Sequence, residues 1–197
     1  MPVPLSADSH GTAGSPAAES LDRLPRPPAW SLLAAAALGC AVLWAASIWA
    51  ATHLKADPAL HTAALFGHLG ALVVGFGAVL VIDYHGLLWL LGRHSLREVL
   101  ALTHTLHRPV WAGTVGLLVT GVFLHPDLDS PLTRVKLLAV LAIALNGVAA
   151  AAVQRRISTL AGSRPPARLL LLGAAVAGVS QIGWWTAAVI GFLNSQT

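Results

Sequence analysis

Long apolar runs separated by short polar segments are the main feature of this sequence. A first segment of about 28 residues is rich in Pro, Ala, Ser and Gly, and apolar runs then recur along the rest of the chain. A helix that crosses a bilayer needs about 20 apolar residues at a rise of 1.5 Å each. The pattern therefore predicts five spans, at residues 29–51, 62–91, 96–124, 132–153 and 167–193.

The two ends of the pattern divide the chain into a tail and one domain. Residues 1–28 have scattered charges and no apolar periodicity, which predicts a disordered cytoplasmic tail. Residues 29–197 contain no polar segment long enough to fold alone. The predicted fold class is therefore all-α: a polytopic membrane protein, a five-transmembrane-helix bundle with a disordered N-terminal tail.

Composition supports the membrane class and excludes nucleic acid as a partner. Charged residues make up 10% of the chain and hydrophobic residues 56%, with a mean hydropathy of +0.72. A soluble domain would be about 25% charged. The net charge of +4 arises from basic residues in short loops between apolar runs. That distribution is typical of a topology signal, so the expected partner is the lipid bilayer.

The distribution of Lys and Arg predicts the orientation. The tail and the second and fourth loops hold nine: Arg23, Arg26, Arg93, Arg97, Arg108, Arg155, Arg156, Arg164 and Arg168. The opposite side holds three: Lys55, Arg134 and Lys136. By the positive-inside rule we expect a multi-pass protein of the bacterial cytoplasmic (inner) membrane, with its N-terminus in the cytoplasm and its C-terminus outside.

The single cysteine leaves a second interpretation of the first span. Residues 37–40, which end at Cys40, loosely resemble a lipoprotein processing site. A cleaved signal peptide has an apolar region of about 7–15 residues, and this run is longer, so an uncleaved span is favoured. One cysteine also excludes a disulfide framework and a cysteine-based zinc site.

Two stripes of small residues and one capping motif predict how the central spans begin and pack. The stripes are Gly67–Ala71–Gly75 and Ala112–Gly116–Thr120. Small residues at this spacing let two membrane helices approach closely. Ser95 followed by Glu98 is a capping box, which predicts a helix start before the third span.

Ionisable residues inside the second span point to a functional site. His68 lies roughly 10 Å inside the predicted span, while His61, Asp83 and His85 fall near its ends. An ionisable group at such depth is costly and is a functional-site hypothesis by default. His61 and His68 are seven residues apart, two turns along one helix face, so we do not expect them to ligate one metal ion together.

The polar residues form two predicted clusters, one toward each membrane face. The cytoplasmic cluster is Asp83, His85, His104, His107 and Arg108. The outward cluster is His61, His68, His125, Lys136, Trp184 and Trp185. Each cluster also has a structural explanation: boundary histidines are often interfacial, Trp184 and Trp185 are packing or belt residues, and Lys136 can extend to the interface.

Asp83 and Arg108 carry two alternative roles in the cytoplasmic cluster. The second and third spans are antiparallel neighbours, so these two side chains are expected to meet. They would form either an ion pair that fixes two helices or part of a proton relay.

Haem b is the cofactor that best suits these residue types, because it takes axial imidazole from helices in an apolar pocket. The candidate cofactor-binding residues are His61, His68, His85, His104, His107 and Arg108. His85 is expected to pair with His104 or His107, with cationic side chains near the haem propionates. For a metal ion the candidates are His68, His85 and His104. A copper site would call for Met or Cys. The chain has one of each, and the Met is the initiator, so the sequence gives copper little support.

The central part of the chain, about residues 60–155, resembles a superfamily of small bacterial membrane proteins. The motifs are His68 followed by Asp83-Tyr84-His85, Arg108-Pro109 before a span that ends at 120–124, and the 134–138 segment around Lys136. The superfamily includes the CopD-like copper-resistance domains and the HemJ-like protoporphyrinogen oxidases. In the HemJ-like group an early-span His and the Lys of a Lys-Leu pair are the functional positions. The resemblance therefore implies His68 and Lys136 as catalytic residues.

Together these features give one expected function and two alternatives. The expectation is an inner-membrane protein that binds haem or a related tetrapyrrole and couples redox chemistry to membrane quinones. One alternative is a small transporter or CopD-like metal-handling permease, in which His68, Asp83 and Lys136 relay ions or protons. The other is an accessory subunit that packs against a membrane-protein partner, or against a second copy, through its small-residue stripes.

Overall fold

In the part of the chain that the structure describes, the fold is a bundle of five α-helices. The computed structural model describes residues 28–160 and 165–195; the predicted disordered tail lies, apart from Pro28, outside the described residues. The helices are α1 (Ala29–His53), α2 (Pro58–Leu90), α3 (Leu96–Gly121), α4 (Pro131–Ser158) and α5 (Ala167–Asn194). A short 3-10 turn, Val122–Leu124, follows α3.

Local sequence signals explain where three of these helices begin. The side chain of Asp57 accepts a hydrogen bond from the Leu60 N–H at 2.8 Å, directly before Pro58 at the first helical position of α2. Ser95 and Glu98 form both bonds of a capping box at the start of α3, which confirms that prediction. Ser130 caps α4 in the same way as Asp57 caps α2.

Four of the described helices are long and apolar enough to cross a membrane. They are α1, α2, α4 and α5. The remaining predicted span, residues 96–124, does form a helix, but His104, His107, Arg108 and Pro109 interrupt its apolar run. The helical bundle is therefore confirmed, with four helices that are long and apolar enough to span a membrane, and the prediction of five spans is not confirmed.

Helices α2 and α3 form a tightly packed antiparallel hairpin. A Cβ atom added at Gly75 would lie 3.1 Å from the Gly113 Cα, and one added at Gly113 would lie 2.7 Å from the Ala71 carbonyl oxygen. Gly116 also packs on Ala71, where an added Cβ would be 2.8 Å from the Ala71 side chain. The small-residue contact is confirmed, except that Gly113 takes the place predicted for Ala112, which is exposed.

Helices α4 and α5 form a second hairpin, and α1 packs against it. A Cβ atom added at Gly183 would lie 2.7 Å from the Ile143 side chain. The Asn146 amide donates to the Val176 carbonyl oxygen across this hairpin at 2.9 Å. On the outside, the Trp44 indole of α1 donates to the Leu137 carbonyl oxygen of α4 at 2.9 Å.

The two hairpins meet through one small core near their middle. Trp184 is 1% exposed and packs with Val79 and Ile143. Its ring stacks on Phe76 with a centroid distance of 5.7 Å. Contacts between α3 and either helix of the second hairpin are few. Trp184 is therefore a core residue, and the interfacial-belt interpretation does not hold for it.

The Gly75–Gly113 contact yields a stability prediction. Replacing Gly113 with Ala should lower the free energy of unfolding by about 1–3 kcal/mol, because the new methyl group would clash with the backbone of α2 at Gly75 and Ala71. Thermal unfolding in detergent, followed by helical circular dichroism, measures the effect.

Gly77→Ala is the matched control, since an added Cβ there meets nothing within 4 Å. That variant should unfold at the parental temperature or slightly above it. Equal stability of Gly113→Ala and the parent would contradict the close approach of α2 and α3.

Candidate functional site

Polar side chains lie on both sides of the Trp184 core. On one side, His68 of α2 is partly buried and its Nδ1 lies 2.9 Å from the Thr120 hydroxyl oxygen of α3. The Thr120 hydroxyl donates its proton to the Gly116 carbonyl oxygen at 2.6 Å. It must therefore accept from His68 Nδ1–H, which leaves His68 Nε2 as the basic nitrogen of the ring.

Lys136 of α4 lies near this imidazole. Its ammonium group acts electrostatically on His68 and is partly buried. In the part of the chain that the structure describes, Lys136 has neither an ion-pair nor a hydrogen-bond partner. The structure thus brings together the two residues that the resemblance singles out. A partnerless cation in a membrane helix is an indication of function, and we call His68, Thr120 and Lys136 the His68–Lys136 cluster.

His61 and His125 lie apart from this cluster, at the end of the bundle. A ring nitrogen of His61 is 3.1 Å from the Phe123 carbonyl oxygen, and its ring stacks on His125 at 6.0 Å. His125 adopts the left-handed conformation, with φ of 45°. Its Nε2 lies 3.2 Å from the Ala56 N–H, which joins the end of α3 to the loop after α1. These contacts give both histidines a structural role.

On the other side of the core, Asp83 has a different partner from the one expected. The Gln181 side-chain amide of α5 donates a hydrogen bond to the Asp83 carboxylate. The described residues show no ion pair between Asp83 and Arg108. Asp83 therefore ties the two hairpins to each other, because Gln181 lies on the second hairpin.

The expected pairing of His85 with His104 or His107 is not formed. His85 Nδ1 is 2.9 Å from the Val81 carbonyl oxygen of its own helix, and its ring packs against His94 at 5.4 Å. His107 Nε2 accepts a hydrogen bond from the Trp111 indole at 2.9 Å. His104 is exposed. A haem held between His85 and either partner does not fit this arrangement.

The predicted metal ligands are likewise not brought together. His68 contacts Thr120, His85 contacts Val81 and His94, and His104 is an exposed residue in the N-terminal third of α3. Within the described ranges, no group of three or more His, Cys, Asp or Glu side chains is placed to hold a metal ion.

A large apolar cavity separates the two hairpins on the Asp83 side of the core. Its volume is about 840 Å³, and residues of α2, α3, α4 and α5 line it. Cavities of about 300–1,000 Å³ with mainly apolar walls and a few polar groups are typical of small-molecule sites. The polar side chains on this wall are Asp83, Thr103, His107, Thr114, Asn146, Gln154, Ser180 and Gln181. We call this space the inner cavity.

The indole nitrogen of Trp184 is the one buried side-chain nitrogen or oxygen without a hydrogen-bond partner in the described chain. Trp184 also lines the inner cavity. A buried unsatisfied donor costs about 1–3 kcal/mol, so native proteins rarely retain one without a reason. The nitrogen itself is buried, so an acceptor group in the cavity would reach it only after a shift of neighbouring side chains.

A second cavity of about 1120 Å³ adjoins the inner one and has a basic wall. Arg97, Arg108 and Arg155 line it together with His104, and no acidic residue of the described chain does. We call it the basic mouth. The residues that line both cavities are Trp89, Leu96, Leu100, His107, Gln154, Ile157 and Leu170. The two spaces therefore adjoin along α3 and α4, where the Gln154 amide donates to the Leu100 carbonyl oxygen at 3.3 Å.

Several of these residues were not predicted as site residues from the sequence. Gln181 is an amide in the middle of an apolar span, which is a detectable signal, but nothing in the sequence pairs it with Asp83. Thr120 was predicted as a packing residue of a stripe, and Arg155 as a topology signal. Only the hairpin packing shows what each of them contacts.

Comparison with known proteins does not assign this chain to a family. No protein-family model, no curated protein and no solved structure matches this chain. The resemblance to the CopD-like and HemJ-like superfamily thus stays an expectation from the sequence.

The lack of a partner for Lys136 gives a prediction about stability. Lys136→Met should raise the free energy of unfolding by about 1 kcal/mol or more, because it removes an ion from an apolar setting without breaking a bond. Lys55→Met, at an exposed lysine in the loop after α1, should alter it by less than about 0.5 kcal/mol. Chemical unfolding in detergent measures both. A marked loss of stability in Lys136→Met would assign that lysine a structural role.

Proposed function

We propose that this chain is a multi-pass membrane protein that binds a quinone of the membrane pool in the inner cavity. The observation that carries the proposal is an apolar cavity of about 840 Å³ that is lined in part by Trp184, whose buried indole N–H has no partner. A quinone has carbonyl oxygens that accept hydrogen bonds and an isoprenoid tail that suits an apolar, lipid-facing wall. Both halves of that chemistry match the cavity.

The remaining polar groups of the wall suit proton exchange with such a ligand. Reduction of a quinone to a quinol takes up two electrons and two protons. Asp83, held by Gln181, and His107 line the cavity and are titratable. Beyond the Trp184 core, the His68–Lys136 cluster is a second group of titratable residues. In this proposal His68 and Lys136 relay protons, in keeping with the roles that the HemJ-like resemblance implies for them.

Haem b has less support than a quinone. The paired-imidazole site is not assembled, so His107 is the histidine left on the wall of the inner cavity. Its Nε2 would have to leave the Trp111 indole to ligate iron. The arginines of the basic mouth would suit propionates. An absorption spectrum of detergent-purified protein tests this cofactor directly, since bound haem gives an intense band near 400 nm.

A proton- or ion-relaying transporter is the second candidate function. The observation that favours it is the pair of protonatable clusters on opposite sides of the Trp184 core, His68 with Lys136 and Asp83 with His107. In liposomes carrying an internal pH dye, the parent should then dissipate a pH gradient and His68→Gln should not, while His94→Gln should behave as the parent.

We also propose that α3 is the fifth span. It packs along α2 from Gly75–Gly113 to His68–Thr120, within the apolar part of α2. A helix in that position lies at the same membrane depth as α2. Its polar third, with His104, His107 and Arg108, would then lie at the cytoplasmic boundary beside the basic mouth.

Topology gives the test of the fifth span. Five spans place the two termini on opposite sides of the membrane, whereas four place them on the same side. With an N-terminus in the cytoplasm, a reporter fused after Thr197 should be active only in its periplasmic format. Activity only in the cytoplasmic format would exclude α3 as a span.

Trp184→Phe tests the quinone site. The variant keeps the stacking on Phe76 and removes the indole N–H. Loss of one hydrogen bond to a neutral acceptor should weaken quinone binding by about 0.5–1.5 kcal/mol, a factor of roughly 2–13. Without ligand, the variant loses part of the packing of a buried ring but also an unsatisfied donor, so its thermal unfolding is measured beside the affinity. Titration with a short-tail quinone, followed by calorimetry, measures the affinity.

Trp185→Phe is the matched control on the adjacent residue. Trp185 is 53% exposed and packs edge-on against Phe76, and it does not line the inner cavity. It should leave quinone affinity unchanged. Equal affinity of the parent and Trp184→Phe, or equal weakening by both variants, would contradict the proposed site.

A further inference from the structure

The positive-inside rule does not explain why three arginines line one cavity, the basic mouth. Arg97 and Arg108 come from α3 and Arg155 from α4, so two different hairpins contribute cations to one cavity. None of these three arginines has an ion-pair partner among the described residues. All five arginines of these segments are exposed, but Arg93 and Arg156 do not line the cavity. The charge is therefore concentrated on one concave surface.

Apolar side chains continue from these arginines into the interior. Leu100, Ile157 and Leu170 line both the basic mouth and the inner cavity. A ligand that uses the whole surface needs an anionic group at one end and long apolar chains at the other. We propose that the basic mouth binds an anionic phospholipid, with its phosphate against the three arginines and its acyl chains along α3, α4 and the start of α5.

The three arginines favour an anionic phospholipid over a zwitterionic one. Guanidinium groups bind phosphate oxygens bidentately, and basic pockets between membrane helices on the cytoplasmic side are suited to anionic headgroups. A zwitterionic headgroup would bring a choline or ethanolamine cation next to Arg97, Arg108 and Arg155. Bound lipid would also bridge the two hairpins on the side where α3 makes few contacts with α4 and α5. The inference goes beyond the proposed quinone site and does not depend on it.

The test titrates the purified full-length chain, in neutral detergent, with phosphatidylglycerol or phosphatidylcholine of identical acyl chains. Native mass spectrometry counts bound lipid, and thermal unfolding reports the linked stabilisation. The parent should retain one phosphatidylglycerol at least tenfold more tightly than phosphatidylcholine. Arg108→Gln with Arg155→Gln should lower the phosphatidylglycerol affinity about 30-fold, at roughly fivefold for each charge, and leave phosphatidylcholine binding unchanged.

Controls separate this site from general surface charge and from misfolding. Arg93→Gln, on the same side of the molecule but outside the cavity, should keep the parental affinity. The double Arg→Lys variant at 108 and 155 should recover most of the affinity lost in the double Gln variant. Parental helix content of the double Gln variant in phosphatidylcholine shows that the fold is retained.

Four results would overturn the proposal. They are equal affinity for the two lipids, equal loss in Arg93→Gln, an unchanged double Gln variant, and binding of glycerol 3-phosphate as tight as that of phosphatidylglycerol, which would show that the acyl chains are not bound. A haem absorption band in the purified parent that falls in the double Gln variant would instead assign the arginines to tetrapyrrole carboxylates. None of these results bears on Trp184, so the quinone site is tested separately.

Discussion

The backbone contact between Gly75 and Gly113 is the constraint on which the rest of the structure depends. Two membrane helices gain little from burying apolar side chains against each other, since lipid is equally apolar, so close backbone packing has to hold them together. At this contact α2 and α3 approach until no methyl group fits between them. That approach sets the register of the hairpin, which places His68 opposite Thr120 and aligns the polar end of α3 with Asp83 and its neighbours.

The second hairpin is held differently, and the difference creates the cavity. Gly183 packs on Ile143, and the Asn146 amide bonds to α5, but the two hairpins touch mainly through the Trp184 core. Around the hydrogen bond between Asp83 and Gln181 the two hairpins leave a large apolar space, and the Trp184 indole nitrogen stays without a partner. This space has room for a ligand, and the indole is a hydrogen-bond donor beside it. The proposed quinone and lipid sites are two consequences of that one geometry.

Much of the fold could be predicted from the sequence, because hydrophobic length, capping and small-residue spacing act locally. The bundle, the Ser95–Glu98 cap and the α2 stripe follow from such signals. The site was harder to predict. His68 and Lys136 were singled out by depth and resemblance, but the partners of Asp83 and His85 depend on the rotation of each helix about its axis. A shift of one position, as between Ala112 and Gly113, turns a side chain by about 100° and changes its neighbours. For the same reason the sequence could not decide between packing and an interfacial position for Trp184.

The central claim is that the space between the hairpins, and not the lipid-facing surface, is the ligand site. A photoreactive quinone analogue, activated on the full-length protein in liposomes and mapped by mass spectrometry, tests it most directly. The account predicts labelling confined to peptides that carry the cavity wall around Asp83, His107 and Trp184, and its suppression by excess unmodified quinone. Labelling spread over exposed apolar positions such as Trp49, Phe66 and Ile182, without suppression, would contradict it.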